Sequence, residues 1–101
     1  MTNQMPAVQE MTQFRRRYEK FAQREAERLC KNKDAALLLI ECVFLDIETR
    51  YANRKLPAHL DAFLMGKTLN VFSRTGQDKE ALSEEIKRLK ALREQSRESG
   101  R

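Results

Sequence analysis

The residues that could do chemistry in this chain are few and poorly spaced for it. His59 is the sole histidine, and Cys30 and Cys42 are the only cysteines. A structural zinc wants four ligands and these residues include no CxxC pair, so no metal site is expected within one chain. Glu41 and Glu48 form the one acidic pair with apolar surroundings. Two helical turns separate them, about 10 Å at 1.5 Å per residue, which is too far to share a proton as an acid–base dyad. Their expected task is to face solvent or a basic partner: Arg50, Arg54 or the first helix. No glycine-rich loop exists to approach a phosphate, and no nucleophile stands beside a base. The chain is therefore read as a non-enzyme without a cofactor. His59 is a lone imidazole with no ligand or nucleophile beside it, and Cys30 and Cys42, both beside apolar positions, are expected as buried free thiols.

Charge is more informative. Residues 1–33 hold eight Lys or Arg against four Glu, so most of the net charge of +5 lies there. Arg17, Lys20, Arg24, Arg28 and Lys31 follow helical spacing and form one basic ridge along the border of an apolar face. A row of cations of this kind can follow a phosphate backbone with salt-dependent, sequence-independent affinity. The plainer account is a solvated face whose long stems cover apolar surface, with Glu27 four residues before Lys31 to offset it. A helix-turn-helix is disfavoured. Ala62 and Gly66 stand four apart, but Asp61 and Lys67 fall where such a turn wants apolar residues, and LNVFSRTG is too short for a recognition helix.

The elements that would position these residues read as helices, since Leu, Ala, Glu, Lys and Arg abound while Gly and Pro number three and two. A first helix is predicted from Pro6 or Thr12 to about Cys30, with Met11, Phe14, Tyr18 and Phe21 on one face. Asn32 or Asp34 would cap a second, ending between Tyr51 and Lys55 before Pro57. That second helix, DAALLLIECVFLDIETRY, is apolar almost all round, relieved by Asp34, Glu41, Glu48 and Asp46. A surface helix needs one apolar stripe, so this one must be covered on several sides. A third helix is predicted from Pro57, with Gly66 either ending it or marking close contact with a neighbour. The segment Ser73 to Gln77 reads as a linker, Gly76 as a stop and Asp78 as the cap of a fourth helix to about Gln95. Leu82, Ile86 and Leu89 form a narrow seam on that helix, which could pack on the second or project.

The expected architecture is all-α: a small bundle of about four helices around the central apolar one, dimeric as a means of covering it. Residues 1–95 would form one domain, and residues 96–101 a mobile basic tail. The amino terminus lacks the basic start and apolar run of a secretory signal, and no apolar run approaches the roughly 20 residues that span a bilayer, so a cytoplasmic, membrane-free protein is expected. By size and composition the chain is similar to small helical bacterial proteins that act by binding another protein, such as adaptors, secretion chaperones and anti-activators of transcription factors. The leading expectation is a non-enzymatic regulator of this kind, partnering itself and another protein through Leu38, Val43, Leu45, Phe63, Val71 and Phe72. The alternative is a nucleic-acid-binding accessory protein working through the ridge.

Overall fold

The computed structural model describes residues 6–51 and 55–99, and every regular element within them is an α-helix. Helix α1 spans Pro6–Leu29, α2 Lys33–Arg50, α3 Leu60–Thr75 and α4 Lys79–Ser99. Pro6 opens α1, where its missing N–H costs nothing and its fixed φ suits the helix. Asn32 caps α2, its side-chain oxygen accepting from the Ala35 N–H at 3.0 Å. A cap of this kind is worth about 1 kcal/mol. Gly76, with φ at 63°, closes α3 in a conformation that side chains resist, and its N–H donates to the Phe72 carbonyl. Asp78 then accepts from the Glu80 N–H at 2.9 Å to start α4.

Three boundaries differ from the sequence reading. Helix α3 begins at Leu60 and not at Pro57, because Leu56 is drawn against the core from a non-helical stretch. Gly66 neither ends α3 nor meets a neighbour, since a Cβ added there would find nothing within 4 Å. The break after α3 is shorter than the expected linker, for the helix runs on to Thr75. Helix α4 continues past Gln95 to Ser99, and residues 100 and 101 of the expected tail lie outside those described.

Helix α2 is the centre of the bundle. The Phe14 ring of α1 meets the Phe44 ring of α2 edge-on at 5.7 Å. From α3, Phe63 meets Tyr51 at 5.3 Å and Lys67 reaches Asp46. From α4, the carbonyl of Leu82 accepts from the Cys42 thiol and Arg93 pairs with Glu48. The order of these contacts along the chain makes α1 and α3 antiparallel to α2 and α4 parallel to it, an up-down-up-down arrangement. One further bond ties the end where α2 begins: the Lys31 N–H donates to the Gln77 side chain at 2.8 Å, joining the α1–α2 and α3–α4 turns.

Apart from Leu37, which stays exposed, the apolar character of α2 is satisfied within the chain. Ala35, Ala36, Leu39, Ile40 and the unbroken run from Cys42 to Ile47 are buried. Burying a Leu or Ile side chain contributes about 2 kcal/mol, so a helix of this composition gains most when neighbours close on several faces. Helix α4 does not project: Leu82 and Leu89 are buried, and Ile86 packs on the core.

Candidate functional site

With most of α2 enclosed, the exposed surfaces are the outer sides of α1, α3 and α4 and the stretch of α2 around Leu37. Helix α1 buries Phe14, Ala22 and Ala26 on its inner side. Arg17, Lys20, Arg24 and Arg28 of α1 and Lys31 just past its end are all exposed. A 3.6-residue period sets Lys20 opposite the buried side and Arg17, Arg24 and Arg28 between Lys20 and Phe21, which packs against the core, so these three run along the border of the apolar face. Among the described residues only Arg28 of the five has an ion pair, to Glu25 at 2.7 Å. Glu27, the expected offset to Lys31, is instead bonded by the Gln23 amide. The ridge keeps its charge.

The acids of α2 leave the ridge alone because they have other partners. Glu41 takes Arg15 at 2.7 Å, and the same guanidinium lies over the Phe44 ring, 5.0 Å from its centroid. Glu48 takes Arg93 from α4 at 2.9 Å. Neither Arg15 nor Arg93 was singled out in the sequence, although Arg15 borders the apolar stripe of α1, which was a usable signal. Asp46 is the acid that sequence reasoning passed over. It is 1% exposed and accepts from Lys67 at 2.9 Å and Arg50 at 2.8 Å. Burial works to raise its pKa, but the bonds from Lys67 and Arg50 outweigh it and hold the carboxyl below its usual range.

The six residues expected at a protein interface are mostly turned inward. Val43, Leu45 and Val71 are buried by the chain's own helices, while Leu38, Phe63 and Phe72 are half-buried and packed against the core. The physical reason is α4, whose seam covers the side of α2 that a projecting helix would have left open. Exposed apolar side chains occur elsewhere: Met65 and Leu69, one turn apart on the outer side of α3, are 38% and 48% exposed.

The remaining chemical groups are structural or solitary. Cys30 and Cys42 are buried free thiols. Burial first, then the carboxylates of Glu85 and Glu41, pushes the Cys42 thiol up to about 12, far from a reactive thiolate. His59 is exposed at the start of α3 and makes no capping bond with its side chain. Ala62 and Gly66 lie within one unbroken helix, so the turn of a helix-turn-helix is missing where their spacing hinted at it. Among the described residues no three His, Cys, Asp or Glu side chains gather as metal ligands, and no helix is long and apolar enough to cross a membrane.

No protein-family model matches the chain, and no curated protein or solved structure gives a significant match.

Proposed function

We propose that the protein is a non-enzymatic accessory protein that binds nucleic acid through the outer side of α1. The observation that supports this reading is the row Arg17, Lys20, Arg24 and Lys31, exposed and without ion pairs among the described residues, in a chain of pI about 9.5. From Arg17 to the end of α1 at Leu29 the helix covers about 18 Å, the length of roughly five phosphates along one strand, and Lys31 extends the row beyond it. Four neutralised phosphates give a log–log salt slope near −3.6, so affinity for an oligonucleotide falls about a hundredfold between 50 and 200 mM salt. Titrating a labelled oligonucleotide across that range is the experiment; binding that is absent, or that ignores salt, excludes the reading.

A second reading is favoured by Met65 and Leu69. In it the protein is a regulator of the adaptor or anti-activator type, possessing a protein-binding face on outer α3, where Ala62 and Gly66 leave room beside the two exposed side chains. A homodimer belongs with this reading, because enclosing α2 no longer requires one. Light scattering and salt separate the two: apolar association survives moderate salt, and a Leu69→Glu substitution abolishes it.

A further inference from the structure

Arg17 belongs to two surfaces. It stands near one end of the ridge, and it also edges a cavity of about 350 Å³ between α1 and the stretch that leads into α3. Phe14, Leu56, Pro57 and Leu60 give this cavity an apolar floor and wall. Its polar lining is Gln13, Arg17, Lys55 and the half-buried Tyr18. Tyr18 is held in place by the Phe14 ring at 5.3 Å and the Phe21 ring, edge-on, at 6.3 Å. Lys55 is exposed and, like Arg17, without an ion pair among the described residues.

Each property narrows the occupant. The volume lies at the small end of ligand cavities, about 300–1,000 Å³, and suits one planar ring system with its attached sugar. An apolar floor beside a tyrosine ring suits a flat aromatic body. Two unpaired cations at the mouth suit an anion joined to that body. Continuity with the ridge through Arg17 suits an anion that repeats along a chain. In a duplex the bases stay stacked inside, whereas a single strand can splay one out onto an aromatic side chain while a positive groove follows its backbone.

We infer that the cavity beside Arg17 receives one unpaired base of a single-stranded nucleic acid whose backbone lies along the α1 ridge. This rests on the nucleic-acid reading and adds to it the kind of strand. Lys55 and Arg17 take the phosphates on either side of the inserted base, and Tyr18 presents its ring to it.

The test compares a fluorescein-labelled dT12 single strand with a labelled 12-base-pair duplex at 50 mM salt, using the full chain. The single strand is expected to bind about tenfold more tightly, the scale of one base stacked on an aromatic side chain. Tyr18→Leu is expected to bring its affinity down to that of the duplex. Because Tyr18 also packs against core rings, a second readout is independent of that variant's folding. The chain has no tryptophan and two tyrosines, so in Tyr51→Phe the emission of Tyr18 stands alone, and dT12 but not the duplex is expected to quench it. Equal affinity for both probes with Tyr18 emission unchanged overturns the cavity and leaves the ridge standing. Salt-sensitive binding of neither probe overturns both.

Discussion

Lys67 of α3 places its ammonium 2.9 Å from Asp46 of α2, inside a bundle whose other helix–helix contacts are mostly apolar. The carboxylate is 1% exposed and the ammonium side chain 17%, so this bond is made largely away from water and fixes how α3 sits along α2. Arg50, more than half exposed, supplies a second bond from the rim. A buried charge is tolerable when paired and costly when its partner is removed.

Asp46→Asn should therefore destabilise the fold by about 3 kcal/mol, the low end for breaking a buried pair because Arg50 and Lys67 retain some water. Urea unfolding of the two proteins measures it. A loss under half a kcal/mol would mean that the pair only balances its own desolvation.

The same bond sets a pH dependence. The folded pKa of Asp46 lies below its ordinary value of 3.8, so its contribution is fully present above that value and is lost as pH falls through the lower folded one. Glu85 acts in the same direction, its pKa lowered chiefly by the bond from Arg88. Thermal melts from pH 7 to pH 2 should show midpoints falling most steeply below about pH 4, and Asp46→Asn should flatten that fall.

Leu82 and Leu89 tie α4 to the core, so removing residues 77–101 should abolish cooperative unfolding. Leu82→Ala gives the graded form of the experiment, with an expected cost of about 3 kcal/mol for a fully buried leucine. A truncated chain that still melts cooperatively would show α1 to α3 to be self-sufficient. Likewise Val43→Glu, which sets a charge in the core, should unfold the protein and not merely block a partner, while Leu37→Glu, at 56% exposure, should stay within about 0.5 kcal/mol of the parent.

Gly66 offers a stabilising change. It lies in the interior of α3 with open space around its missing Cβ, so Gly66→Ala should gain about 0.5–1 kcal/mol and raise the melting midpoint by several degrees. If the midpoint rises while association of the protein weakens, a partner approaches α3 closely at that point, and the second functional reading gains.

Local signals made much of this fold legible. Asn32, Gly76 and Asp78 act through their own or adjacent backbone groups, which is why their roles could be read from residue type and position. The demand of α2 for cover was equally plain from its composition. What covers it was not, because the seam of Leu82, Ile86 and Leu89 is as compatible with projection as with packing until the neighbouring helix is known. Asp46 was hidden for a related reason: its partner Lys67 lies 21 residues away, and helical periodicity carries no record of tertiary pairs. The cavity beside Arg17 had no local signature, since Pro57 lines it from outside the helix predicted to begin there, and Leu56 meets α1 only through tertiary packing.

The ridge allows the sharpest separation of charge from structure. Arg17, Lys20 and Arg24 are exposed and unpaired among the described residues, so changing all three to Ala removes three positive charges while leaving the core untouched. Stability should move by less than about 0.5 kcal/mol for each. If these cations each neutralise a phosphate, the salt slope should fall by about 0.7 per contact for a single strand, about two units in all, and by about 0.9 per contact for a duplex. Arg28→Ala provides the internal comparison. Its guanidinium is engaged by Glu25 at 2.7 Å and is not free to neutralise a phosphate, so the slope should change less than for Arg24→Ala. A triple variant that binds with unchanged slope would remove α1 from the contact surface, and the outer side of α3 would be the place to look next.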